Sequence, residues 1–516
     1  MTARKARPTK TRQRANRLIL SFLVLLALAG LYGIAGLSRA VTVTASTPAG
    51  PLGSLPVTSA LLACPAPGSG APTGGNIAEA SVPARMGSGQ VALTSLHVAT
   101  STRPVTTVNT SPQPGQLTVK TIHQAPVAPV KKAAMPAMAG GLVPTRLATG
   151  GLIVSATGAD AQGFDVEQLG PTGQPTARCQ APGSDFWFVG PAATKLHTEL
   201  YLINTDNVAA DAHVAVQTDS GPLLGAADSG IVVPPHAMVV QNLDKLVQSA
   251  NAAALHITTS VGRVVAAIRE TDSTGKPGVW LPPAPQPATT QVLTGLPSTT
   301  GTRELYISVP GAAAARVKIT AVTPRGSYQP TGGTGISLLG HLTTGLSLPS
   351  LSGLPGSIEI SANVPVTAVL AASGGPAGAP GAFISGSAPI SEQGVVAGSP
   401  AGAAGSTQIV LSAPGKAASV RIAEAAPGSA LTGQPGKVVQ IKAKSATIVR
   451  LKLPKHAANA SLMSIVITPQ PGSGPVYAAR LALSGGTVRN VISIGSSPTR
   501  IGLPDVRLSL VRVLGT

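Results

Sequence analysis

The stretch GADAQGFDVEQ holds the densest group of carboxylates in the chain, Asp160, Asp165 and Glu167. Two carboxylates facing across a cleft could hydrolyse a glycosidic bond, and several convergent oxygens could hold calcium. In an extended segment Asp165 and Glu167 share one face, so the expectation is a solvated strand edge. STGK, Ser273 to Lys276, has the Ser-x-x-Lys acylating spacing, but that chemistry needs the serine at a helix start facing a buried lysine. Here the motif falls between a strand and PGVW, in a turn. His197 and Glu199 alternate on one face, yet the 8 histidines are scattered and form no ligand set. The Gly87-Ser88-Gly89 and Gly472-Ser473-Gly474 runs lack the third glycine of a dinucleotide loop. No nucleophile elbow or zinc-binding His-Glu-x-x-His helix occurs. The pattern points to no catalytic residue, metal or cofactor. Phe186, Trp187 and Phe188 have two readings, a stacking platform for sugar or a core plug between units; with only 2% aromatic residues in the chain, the plug is preferred.

Positive charge is the second chemical resource. The net charge is +19, which suits phosphate ligands, but its distribution argues against nucleic acid. Seven basic residues (Arg4, Lys5, Arg7, Lys10, Arg12, Arg14, Arg17) precede an uncharged apolar run from Leu18 to Leu37. That run has the length of a membrane-crossing helix, and basic flanks stay cytoplasmic. The expectation is a single-pass cell-membrane protein with its N-terminus inside and its body outside. Ser38 and Ala40 have the spacing of a signal-peptidase site, so secretion after cleavage is the alternative; either reading exports the body. At the other end, residues 401–516 hold 13 Lys and Arg against Glu424 and Asp505, a balance of +11. Lys442, Lys444, Arg450 and Lys452 are expected on the water face of one hairpin, with Ile441, Ala443, Leu451 and Leu453 facing inward. Such a patch either serves solubility or binds an anionic cell-wall polymer or lipid headgroups.

The elements that position these residues are short strands. The chain has 59 Gly, 47 Pro, 43% hydrophobic and 11% charged residues over 516 positions, a composition that breaks long helices and suits strands joined by turns. One five-part order appears three times. TELYLINTD, RELYISVPG and TQIVLSAPG open the copies, with Glu199, Glu304 and Gln408 spaced by roughly 105 residues. The lead-ins WFVGP, LTGLP and VAGSP precede them. A period of this length matches an antiparallel β-sandwich. Before Trp187 a degenerate fourth copy is expected, with TSALLACPAPG as its opening strand and GLIVSAT and GFDVEQ as its last two. A Pro-rich insert lies in its middle.

The predicted architecture is therefore mainly β: a transmembrane helix followed by tandem immunoglobulin-like sandwich units. The boundaries are a basic tail 1–17, an anchor or signal segment 18–37, a linker 38–55, a degenerate unit 56–190, and units 191–297, 298–400 and 401–516. Cys64 and Cys179 fall in the exported part, where a disulfide persists. They form a single bridge, or else two unrelated buried thiols.

CQAPGSDFWFVGP, LYLINTD, GRVVAAI followed by GVWLP, and LYISVPG together resemble an actinobacterial family of membrane-anchored or secreted proteins, the domain of unknown function 5719 family. The resemblance covers most of the chain after the anchor; it implies an exported cell-envelope protein and no assigned reaction. The expected function is a non-catalytic envelope scaffold or accessory protein with the cytoplasmic membrane, an anionic wall polymer or an envelope protein as partners. A polysaccharide-modifying enzyme or carbohydrate-binding module is the alternative.

Overall fold

The computed structural model describes residues 54–502 apart from 66–75, 83–87, 100–131, 137–141, 144–150, 170–174, 193–195, 224–229, 248–249, 273–278, 352, 373–381, 403–404, 427–428, 430 and 453–459. The basic tail, the apolar run 18–37 and the Ser273–Lys276 motif lie outside the described residues. Among the described residues no helix is long and apolar enough to cross a membrane, and the structure is mainly β.

The second unit shows the repeating plan. One sheet runs Asp185–Pro191, Ala252–Val261, Ala210–Thr218 with two short edge strands; the other runs Val279–Leu281, Val265–Asp272, Leu196–Ile203, Ala237–Asn242. Alternation explains the strands. Val214 and Val216 point into the core while His213 and Ala215 point away from it, as a one-sided sheet requires. Leu200 and Leu202 of the second sheet meet Val214 and Val216 of the first in one apolar cluster.

The same order of pairing recurs in every unit. In the second unit the lead strand Asp185–Pro191 pairs with Ala252–Val261, and the next strand, Val265–Asp272, returns to pair with the opening strand Leu196–Ile203. In the fourth unit the sheets are Gly394–Pro400, Leu462–Pro469, Ala418–Ala425, Gly436–Ile441 and Thr487–Ile494, Tyr477–Ser484, Ser406–Ala413, Ser445–Arg450. In the third, one 17-residue strand, Gly356–Ala372, serves both sheets. Its first half pairs with Ala288–Leu296 and Ala315–Thr323, and its second half with Arg303–Ser308 and Ala382–Ser385. The degenerate first unit keeps the plan: Ser59–Cys64, Leu152–Gly158, Gly89–Ser95, Lys132–Pro136 form one sheet, and Pro175–Arg178, Asp165–Leu169, Asn76–Ala80, Leu142–Val143 the other.

Three expectations change here. In an immunoglobulin sandwich the first strand lies beside the second; here the lead strand lies in the sheet opposite the opening strand, so the connectivity differs at that point. Ser59–Cys64 is a lead strand, and Asn76–Ala80 is the opening strand of the first unit. The lead-ins are strands that pair within the unit they precede, so the later units begin at 185, 288 and 394 rather than at 191, 298 and 401.

The units are not beads on a string. Ala63 and Ile153 of the first unit join Tyr201, Ile203 and Met238 of the second in one cluster. Tyr306, Val369 and Phe383 of the third complete the core of the second, and Val410, Ala479 and Leu481 of the fourth complete that of the third. The circuit then closes, because Ala78, Ala80 and Leu169 of the first unit pack on Val395, Ala397 and Val466 of the fourth. Glycines in the lead strands permit the approach. A Cβ on Gly295 would lie 2.7 Å from Val491 Cγ1, and one on Gly398 would lie 2.9 Å from Leu169 Cδ2 and 3.0 Å from Ala78 Cβ. Ser54–Ile501 accordingly form one compact unit.

Candidate functional site

The last strand of each unit ends at a common junction. Residues from Pro175–Arg178, Val279–Leu281, Ala382–Ser385 and Thr487–Ile494 line a cavity of about 460 Å³, together with the segments that follow them. Each strand is the outer strand of the sheet that faces the neighbouring unit, so the repeat itself builds the cavity. Trp280 lies on one wall, edge-on to Tyr201 with ring centroids 5.1 Å apart. Asp165, Arg178, Asn490 and Ser493 supply polar groups.

Asp165 is not on a solvated edge. It is 2% exposed, and its Oδ1 accepts a hydrogen bond of 2.6 Å from Arg178 Nε. Its Oδ2 accepts one of 2.9 Å from the Ala397 amide of the fourth unit. Arg178 extends the staple, donating to the carbonyls of Ser493 at 3.3 Å and Val395 at 3.2 Å. Glu167 is likewise fully buried, with Oε2 2.9 Å from Arg480 Nη1. The contact is a close ion pair without an aligned hydrogen bond. Arg480 is held further by donation to Gly398 O at 3.2 Å and to Asn490 Oδ1 at 2.8 Å. Burial pushes the Glu167 carboxyl above its ordinary range, and the Arg480 charge pulls it back without cancelling the rise. The strand Asp165–Leu169 is buried at every position because the fourth unit covers its second face. Sequence alternation expected a wet face there.

Asp160 is also buried, and so is Glu79, which feels its charge and which the sequence reading missed. Burial, and then the Asp160 charge, push the Glu79 carboxyl up to about 7; burial alone raises Asp160. Glu79 Oε2 and Asp160 Oδ2 have no hydrogen-bond partner. Among the described residues no group of three or more acidic, His or Cys side chains is placed to hold a metal. In the second unit burial pushes Glu270 up to about 8.

These groups set a pH dependence. The folded chain keeps protons on Glu79 and Glu270 that the unfolded chain releases near 4.5, so the folded state binds more protons across the interval. Stability is expected to be highest below pH about 4.5 as far as these two groups are concerned, and to fall by several kcal/mol as pH rises to about 8. Urea titrations at stepped pH measure this. Glu79→Gln with Glu270→Gln should flatten the slope in that interval, and an unchanged slope would remove both groups from the account.

The other residues singled out in the sequence are dispersed. Trp187 stacks on His256 with centroids 4.0 Å apart and an interplanar angle of 11°. Phe188 is fully buried in the same core, and Phe186 packs against it. The three aromatics are thus core and not a platform. His197 is exposed, with Nδ1 2.8 Å from Asp244 Oδ2, and Glu199 accepts a bond of 2.7 Å from the Tyr201 hydroxyl.

The four C-terminal cations do not share a hairpin. Gly436–Ile441 pairs with Ala418–Ala425 in one sheet, whereas Ser445–Arg450 pairs with Ser406–Ala413 in the other. The connection crosses between sheets, and Lys444 takes φ 54° to make it. Ile441 and Leu451 are buried as expected, but Ala443 is exposed in the turn; Leu453 lies outside the described residues. Lys442 and Lys444 therefore sit at one end of Ser445–Arg450, and Arg450 and Lys452 at the other, roughly 20 Å away at about 3.3 Å per residue.

Cys64 and Cys179 form the disulfide, with Cα atoms 4.4 Å apart. The bridge ties the lead strand of the first unit to the segment entering the junction.

Comparison with curated proteins gives no match. A family profile, that of a family of unknown function (DUF5719), matches residues 133–452. The match takes in the second and third units whole, together with the junction-facing strands Asp165–Leu169 and Ala382–Ser385 and most of the fourth unit's first sheet. Since it covers well over half of the 516 residues, this four-unit β protein belongs to the DUF5719 family.

Proposed function

We propose that the protein is a non-catalytic scaffold or accessory protein of the cell envelope, anchored in the cytoplasmic membrane by residues 18–37 with its four units outside. The observation that supports this reading most is the use made of Asp165 and Glu167. The two carboxylates that best suited chemistry are consumed as staples between the first and fourth units, which favours rigidity over turnover. The Cys64–Cys179 bridge fits an oxidising compartment, and the basic stretch before residue 18 fits a cytoplasmic tail. Secretion after cleavage near Ala40 is the other form of the same reading. The basic fourth unit suits an anionic envelope polymer or lipid headgroups, and an exported body does not meet nucleic acid in the ordinary course.

Protease added to spheroplasts is expected to digest the body and leave the tail; a body protected until the membrane is breached would refute the placement. Cross-linking in intact envelopes should capture wall polymer or envelope protein on the body. A second reading, a carbohydrate-binding or polysaccharide-modifying protein, is favoured by the junction cavity, whose lining includes Trp280 and several serines. Turnover of wall polysaccharide by the purified protein, lost on Trp280→Ala with the fold retained, would replace the scaffold reading.

A further inference from the structure

Arg450 and Lys452 have a setting that Lys442 and Lys444 lack. Two residues apart on an extended segment, they project to one side. They line a cleft of about 480 Å³ whose opposite wall is Pro297 to Thr299 of the third unit. Leu481, Leu483 and Val488 back it with apolar side chains, and no Asp or Glu contributes to it. Both cations are exposed, and neither has an ion-pair partner among the described residues. The Thr299 hydroxyl is buried without a hydrogen-bond partner, an unusual state for a polar group in a folded chain. The Pro297–Thr299 wall is held from behind by the buried Arg303 guanidinium, which donates to Thr299 O at 2.6 Å and Pro297 O at 3.3 Å. Fixed cations in a concave, low-dielectric site attract an anion more strongly than the same charges on an open turn.

We propose that this cleft binds a phosphate group of a phosphorylated polysaccharide. The phosphate sits between Arg450 and Lys452, and a sugar face lies along the Pro297–Thr299 wall. The inference rests on the anionic-polymer reading above and narrows it to one place. A recessed apolar lining favours a chain laid into the cleft over a flat lipid surface.

The test uses the full-length chain in neutral detergent at about 0.15 M salt, where surface fields reach about 8 Å. The probes are a soluble phosphomannan, unphosphorylated mannan, and dihexanoyl-phosphatidylglycerol as an isolated headgroup. Phosphomannan should bind and mannan should not. Arg450→Gln with Lys452→Gln should weaken phosphomannan binding roughly thirtyfold, while Lys442→Gln with Lys444→Gln should change it less than about threefold. Unfolding midpoints should stay unchanged because both pairs are exposed. Binding that survives loss of Arg450 and Lys452, or that suffers equally from either pair, overturns the cleft and leaves the polymer reading standing. Phosphatidylglycerol bound in preference to phosphomannan replaces the polymer with a headgroup. Failure of both anionic probes overturns the cleft and the polymer reading together.

Discussion

Arg480→Met, with Glu167 left in place, is expected to destabilise the folded chain by about 3–5 kcal/mol, the usual result of stranding one member of a buried ion pair. Both side chains are fully buried, so water cannot replace the lost partner. Arg480 is also the hub of the seam, donating to Gly398 O and Asn490 Oδ1, and its loss leaves those acceptors short. The double variant Glu167→Leu with Arg480→Met should recover most of the deficit, because removing both charges avoids the desolvation cost that the pair carries. Urea unfolding of the single and double variants measures the difference. A single variant as stable as wild type would mean that Glu167 is neutral in the fold and that the seam depends on apolar packing alone.

Changing Cys64 and Cys179 together to Ala should cost about 4–5 kcal/mol in the chain-entropy account for a loop of this size, the two cysteines being 115 residues apart. The closed loop contains nearly all of the first unit, so the bridge removes much of the unfolded chain's freedom. Reducing agent should reproduce the effect in the wild type and do nothing to the variant. Unfolding midpoints that coincide in oxidised and reduced wild type would place the disulfide's role outside stability.

The repeat was readable because each copy must bury its own core. LYLI in Leu196–Ile203, LYIS in Arg303–Ser308 and IVLS in Ser406–Ala413 occupy equivalent central positions in their sheets, and that need is local. The disulfide was readable because the chain offers only 2 cysteines. The closure of the circuit was not. The partner of Glu167 is Arg480, and no spacing rule connects strands of different units. A clue was present in the lead-ins, whose Gly295 and Gly398 stand where neighbouring units press close, but close approach is one of several reasons for a strand glycine. The turn from Lys442 to Lys444 misled for a related reason. Two strands joined by a short turn usually pair, and here each finds its partner in a different sheet. Glu79 and Glu270 escaped notice because isolated acids in apolar strands read as outward-facing until a second layer covers them.

Hydrogen exchange on the full-length chain tests the closed circuit most directly. In the wild type the amides of Asp165–Leu169 and of Gly394–Pro400 should exchange slowly, because each strand covers the other. Arg480→Met should speed exchange in both strands together, although Arg480 belongs to neither and Asp165–Leu169 lies in the first unit. Faster exchange confined to the fourth unit, with Asp165–Leu169 as protected as before, would contradict the closure of the first unit on the last.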